Sequence, residues 1–451
     1  MIIELVRTYL FIYKAFIVFA FGLKSNKTWH LSSTDYFQKK SFRPTNADYQ
    51  SKLIALKYFY RTTLLFLKQP FKPFKVIENT LIVDSSEAKK ENRVTYLKFK
   101  LTEIDVDFLS KEFIISYTPI YIRLFIWMLG AILFLPFLII SFVHGRRVNF
   151  ALIFPESFEM ALVSFFIKKY SYNKIHLFSP AEKDMNLFYL ILKSKEITVY
   201  KHPSPGPLSG HNKNIACDVL CVSNFYHIEE IENNLKESAS FSKIELWPPE
   251  DAFTYSKMYL DYKQERSNVI GFYSSATWLR LQNGITENYI GLPDGEEKLL
   301  FILNQYLREH PQYKLLIFLH PKEKKHIDFK VVENYYSSFL DGVNYSFADL
   351  NYSTAKSFNR AEVAIATYST VLFERIYCGF KTLIYPIGIN DFPLANAQLS
   401  NVSSTKNEIL KTLLDNSLLE NRAAFFSSNG LMDYVFFDNQ ERQKCVSAMS
   451  N

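Results

Sequence analysis

Cysteine is scarce in this 451-residue chain. Cys217, Cys221, Cys378 and Cys445 are the whole complement, too few and too dispersed for a disulfide framework. No His and Cys spacing of a metal site occurs either. Cys217 and Cys221 bracket a stretch that reads as a buried strand, where a four-residue step covers about 13 Å and prevents both thiols from holding one metal. They are expected to be reduced core cysteines. Long runs of one charge are also missing. The net charge is +7, and Lys and Arg are scattered, so no basic and aromatic module for nucleic acid forms and no such partner is expected. The chain has no Walker loop, dinucleotide fingerprint, nucleophile elbow or internal repeat, which excludes the chemistries and architectures those patterns serve.

Apolar residues make up 48% of the chain and charged ones 22%, an ordinary globular balance at a length that predicts two domains. Aromatics reach 16%, which fits membrane contact or a compositional bias. Residues Leu124 to Val143 carry no charge, with Arg123 before them and His144-Gly145-Arg146-Arg147 after. About twenty such residues match the hydrocarbon core of a bilayer. Ile2 to Leu23 contains Arg7 and Lys14 and suits an interfacial amphipathic helix better than a span; it lacks the small-residue cleavage site of a signal peptide. The expectation is membrane association through a monotopic or re-entrant contact, with a single span or a helix buried in a soluble domain as the alternatives.

From Arg147 onward short apolar runs alternate with helical periodicity, predicting parallel sheets. The expected fold is α/β: two doubly wound, Rossmann-like domains facing a cleft, after an N-terminal helical, membrane-associating region. The predicted boundaries are 1–146 for that region, 147–240 for the first Rossmann-like half, 241–266 for a linker, 267–400 for the second half and 401–451 for a helical tail. Within the first half, Phe150 to Phe154 reads as a strand leading into a helix, which puts Glu156 at a strand-to-helix junction.

Candidate site residues follow from where strands end, because open α/β sheets bind ligands at their carboxyl edge. His320-Pro321 closes one predicted strand, and Ser369-Thr370 closes another just before a helix whose first amides suit a phosphate. Glu374 lies one turn into that helix. Ser274-Ser275 ends the first strand of the same half. In the other half His202 and Lys201 end a strand, and a Pro- and Gly-rich loop reaches His211. Three His-Pro pairs occur, at His202, His310 and His320, so position and not the dipeptide singles out His320.

His320-Pro321 after a strand, Ser369-Thr370 after a later strand and the acidic Pro293-Asp294-Gly295 upstream together resemble the motif set of bacterial sialyltransferases and capsule-synthesis transferases that use CMP-sugars. CDP-glycerol glycerophosphotransferases are similar too. The similarity covers about residues 268–390, and the acidic pair of those families is reduced here to Asp294. The resemblance implies a GT-B glycosyltransferase, inverting and independent of metal. By it, His320 stabilises or protonates the leaving phosphate, Ser369 and Thr370 hold it, and Glu374 binds the ribose. Asp294 is the general base, with Glu156 as the rival. Pro321, Ser274 and Ser275 would line the donor site, and His202, Lys201 and His211 the acceptor side. The implied partners are a nucleotide sugar, a surface glycan or glycolipid, and membrane lipid at the cytoplasmic face of a bacterial inner membrane. No cofactor is expected. A CDP-glycerol-type polyol-phosphate transferase and a non-catalytic glycan-binding subunit are the alternatives.

Overall fold

The computed structural model describes residues 2–21, 70–74, 79–84, 93–94, 96–97, 106–110, 116–143, 150–178, 185–193, 196–202, 215–222, 227–228, 231, 239–247, 259, 266–282, 293–350, 355–367, 369–386 and 397–435. The chain divides into two compact units. The first takes in Met1–Pro203, Asn212–Cys221 and Leu235–Glu245; most of the second is Leu246–Asn451.

The first unit is built on a sheet of β1 (Thr80–Asp84), β2 (Asp107–Ser110), β3 (Lys174–Phe178), β4 (Thr198–His202), β6 (Val219–Val222) and β8 (Lys243–Leu246), in the order β2-β1-β3-β4-β6-β8. The registered pairs of β1 with β2 and β3, of β3 with β4 and of β4 with β6 are all parallel. A short parallel pair joins β5 (Ile215–Ala216) to β7 (Ala239–Ser240). Among the described residues, the helices of this unit are α1 (Ile2–Phe21), α2 (Ile120–Val143), α3 (Phe150–Lys169) and α4 (Met185–Lys193). Leu81, Val83, Ile175 and Val199 of the sheet share one core with Phe158, Leu162 and Phe166 of α3, Ile12 of α1 and Ile126 of α2.

Three expectations change here. Phe150 to Phe154 is the first part of α3 and not a strand, so Glu156 sits inside a helix. A short apolar run does not distinguish a strand from a buried helix, and α3 is buried at nearly every position from Ser157 to Ile167. The stretch expected as a linker supplies β8 to the sheet edge. Residues before 147 are not a separate region, since β1 and β2 extend this same sheet. Side chains of α2 are described from Ile120 to Ile132, and among the described residues no helix is long and apolar enough to cross a membrane.

The second unit carries β9 (Val269–Tyr273), β10 (Lys314–Phe318), β11 (Tyr345–Phe347), β12 (Val363–Ala366) and β13 (Thr382–Ile384), all parallel, in the order β11-β10-β9-β12-β13. The chain starts in the middle strand, works outward to β11, then crosses back to β12. This is the doubly wound order, with its switch point between β9 and β12. Its helices are α5 (Thr277–Gln282), α6 (Pro293–Glu309), α7 (Pro321–Lys324), α8 (Phe329–Leu340), α9 (Thr370–Tyr377), α10 (Ala397–Ser400), α11 (Asn407–Leu419) and α12 (Arg422–Ser428).

The expected tail is part of this core: Leu410, Leu414, Leu418, Phe425 and Phe426 pack with Ile365 and Leu383 of the sheet. A buried ion pair fixes it there. Lys381 lies 2.5 Å from Glu362 and donates to the carbonyls of Ser417 (2.6 Å) and Glu420 (2.8 Å). Gly379 closes α9 with φ +75°, its amide bonding the Ile376 carbonyl and the next amide that of Arg375. That left-handed cap suits glycine because no side chain is present to clash.

Candidate functional site

The carboxyl ends of β10, β9 and β12 lie side by side and carry His320, Ser274-Ser275 and Ser369-Thr370 in turn. His320 and Ser369 therefore do not end adjacent strands, because β9 lies between them. Two strand spacings separate the outer pair by roughly 10 Å, a span closer to a nucleotide than to one phosphate.

His320 is half-buried and caps α7. Its Nδ1 accepts the Lys322 amide at 3.1 Å, and its own amide donates to Glu323 Oε2 at 2.8 Å, completing a capping box with Pro321 in the first helical position. An amide can only donate, so Nδ1 must be the acceptor, and the neutral ring carries its proton on Nε2. Pro321 itself is exposed.

Glu323 is fully buried. Beyond the His320 amide, it accepts from Trp278 Nε1 at 2.7 Å and from the Tyr336 hydroxyl at 2.9 Å. Burial and the neighbouring charge of Glu296 raise its pKa, and the donors from Trp278, Ser274 and the His320 amide oppose that rise. Glu296, buried at the start of α6, holds the loop after β9. It accepts the Ser275 amide (2.8 Å), the Thr277 amide (3.1 Å) and the Thr277 hydroxyl. That loop includes Ala276 at φ +51°, an uncommon conformation for a residue with a Cβ, and the carboxylate clamps on both sides of it. Ser274 and Ser275 are both buried, and Ser274 Oγ accepts the Ala276 amide at 3.0 Å. Sequence reading missed Glu296 and Glu323. Glu323 had a visible signal, three residues after His320 at capping-box spacing; Glu296 had none beyond following Gly295.

Ser369 is the N-cap of α9, its Oγ accepting the Val371 amide at 3.4 Å, and Ser369, Thr370 and Glu374 are half-buried. Glu374 lies one turn into α9, and its charge raises the pKa of both Tyr273 and Cys378. Arg375 beside it turns inward, donating to the Tyr273 hydroxyl (3.2 Å) and the Phe358 carbonyl (2.8 Å). Asp294 is in the first turn of α6, because Pro293-Asp294-Gly295 opens the helix and is not a free turn. The side chains of Asp294 and Glu156 lie outside the described residues, as does His211.

In the first unit the strand order changes direction between β1 and β3. His202 ends β4 but is buried, stacked on Phe178 at 4.1 Å, with Nε2 placed 2.9 Å from Nδ1 of His176. Arg93 lies over the Phe178 ring at 4.3 Å and donates to Asp84 at the end of β1 at 2.9 Å. Burial, reinforced by Lys174, depresses the His176 pKa to about 3; burial, then His176 and Arg93, depress that of His202 well below the ordinary value. Both rings are therefore neutral. Lys201, buried next to His202 in sequence, projects from the opposite face of the sheet, so the two do not form one site. Among the described residues no group of His, Cys, Asp and Glu could hold a metal ion.

No protein-family profile matches the chain, and no curated protein does. Among solved structures it is similar to UDP-GlcNAc 2-epimerase from Neisseria meningitidis bound to UDP-GlcNAc, at 12% identity over 82% of this chain and 99% of that one, with a TM-score of 0.48. Acinetobacter baumannii MurG matches at 12% identity over 82% of this chain and 98% of its own, TM-score 0.40. A Thermobaculum terrenum O-GlcNAc transferase mutant matches at 11% over 90% and 74%, TM-score 0.41. At these scores the likeness carries no argument about the activity of this chain.

Proposed function

We propose that the chain is a glycosyltransferase of GT-B type that takes a sugar from a nucleotide donor, CMP-linked by preference, and passes it to a surface glycan or glycolipid. The observation that carries this reading is the row of His320, Ser274-Ser275 and Ser369-Thr370 on three consecutive strand ends at the switch side of the second sheet. The α9 amides and the Ser369 and Thr370 hydroxyls would receive the donor phosphate, and the Glu374 carboxylate would accept from ribose hydroxyls. His320 would donate its Nε2 proton in a hydrogen bond to the departing phosphate. The cap contact on Nδ1 favours this hydrogen-bonding role over that of a general acid, since a neutral imidazole is a poor proton source. Asp294 is the proposed base for the acceptor hydroxyl.

The test is turnover of CMP-, CDP- and UDP-linked sugars by the purified chain, with His320→Ala alongside. The expected result is release of free nucleotide, reduced about a hundredfold in the variant with its thermal melt retained. Absence of turnover and of nucleotide binding across all three donor classes would refute the reading.

A further inference from the structure

Helix α2 presents an outer face that does not suit water. It runs for 24 residues, about 36 Å, and its sequence contains a single charged residue, Arg123. Arg123 is 1% exposed, with its Nε turned onto the Thr118 carbonyl. From Ile120 to Ile132, the surface the helix shows to solvent is therefore uncharged. On the described part, Ile120, Leu124, Met128 and Ile132 are 51%, 40%, 52% and 65% exposed, and Tyr121 is 69% exposed. A spacing of four residues stacks these side chains in one stripe. The opposite face is apolar for an ordinary reason: Ile122 and Ile126 enter the core, and the Tyr9 hydroxyl of α1 bonds the Ile126 carbonyl at 3.1 Å.

The contrast with α8 is direct. That helix buries Val332, Tyr336 and Leu340 and exposes Lys330, Glu333, Asn334, Ser337 and Ser338, the usual division for a helix between core and water. Beside α2, α1 exposes Ile3, Arg7, Leu10 and Lys14, alternating apolar and cationic groups on one helical stripe. Arg146 and Arg147 follow α2 in sequence.

We propose that the outer face of α2, flanked by the cations of α1, is a docking surface for an anionic lipid bilayer, with the helix lying in the interface. The stripe offers area without directional polar groups, which a bilayer can use and a specific protein partner uses poorly. Arg7 and Lys14 supply the attraction to anionic headgroups that such interfacial helices need. This inference is independent of the donor site and survives if the transferase reading fails.

The experiment is co-sedimentation of the full chain with phosphatidylcholine vesicles, with and without about one third phosphatidylglycerol. Three proteins are compared: wild type, Leu124→Gln/Met128→Gln/Ile132→Gln, and Arg7→Gln/Lys14→Gln. All five positions are exposed, so the melts should be unchanged. Wild type should partition onto the anionic vesicles. The triple variant should bind at least about tenfold more weakly, and the double variant should lose the preference for anionic lipid. Wild type remaining in the supernatant, or a triple variant that binds equally well, would overturn the proposal. So would a wild-type dimer that the triple variant converts to monomer without any vesicle binding, because the stripe would then be a contact between two copies.

Discussion

Acid should weaken the first unit through its buried histidine pair well before carboxylates titrate. His176 holds a pKa of about 3 in the folded chain because burial disfavours its charged form, and the free imidazole value is about 6.5. The unfolded chain thus takes up the proton first. Stability is full above about pH 6.5 and falls as the pH drops toward the folded value. About 1.5 pH units of a shift from about pH 7.5 to about pH 5 lie below the unfolded pKa, which costs about 2 kcal/mol at about 1.4 kcal/mol per unit. This figure depends little on the folded value, which lies far below the working range. His202, its pKa lowered by burial and by its neighbours His176 and Arg93, acts in the same direction. Amide hydrogen exchange of β3 and β4 at the two pH values, corrected for intrinsic rates, reads this loss directly. In His176→Phe/His202→Phe, with both partners replaced together, the pH dependence should largely vanish at modest cost at neutral pH. Equal protection at both pH values in wild type, or an undiminished slope in the double variant, would refute the reasoning.

Other outcomes follow from the second unit. Ser369→Ala removes the α9 cap and should cost about 1 kcal/mol, whereas Ser369→Gly should cost only a few tenths. If the hydroxyl also holds a donor phosphate, both variants should weaken nucleotide binding equally in calorimetry, despite their different melts. Lys381→Met leaves Glu362 buried without its cation and should destabilise by about 3–5 kcal/mol in urea; adding Glu362→Gln should recover part of that loss. Gly379→Ala puts a Cβ at φ +75° and 2.5 Å from an Arg422 nitrogen, so it should cost about 1–3 kcal/mol, read as a lower thermal midpoint.

The second unit was the more legible in the sequence because its strands alternate cleanly with amphipathic helices. Val269–Tyr273 and Lys314–Phe318 are short apolar runs bounded by polar residues, and Phe329–Leu340 has a clear apolar face, so the alternation is visible in the residues themselves. The first unit was harder to read for a physical reason: α3 is surrounded by core, so its sequence has no polar face to reveal a helical period. β8, four residues at a sheet edge of which Lys243 and Glu245 are charged, looked like linker for the opposite reason, having too little apolar sequence to signal a strand. At the site, strand ends marked His320, Ser274 and Ser369. Of the two buried glutamates that hold the loops between them, Glu323 was signalled only by its capping-box spacing from His320 and Glu296 not at all, because a carboxylate in sequence reads as surface until its donors are seen. The order of strands was also beyond reach, and it alone shows that β9 separates His320 from Ser369.

The capping box around His320 has a consequence for binding entropy. Its ring is already held on Nδ1 by the Lys322 amide and its backbone by Glu323, so the rotamer freedom such a side chain would lose on meeting a ligand has been surrendered during folding. Immobilising a loose side chain costs about 0.5–1.5 kcal/mol on binding. Any group that accepts from Nε2 meets a donor whose direction is set beforehand, with that cost carried by the stability of the second unit.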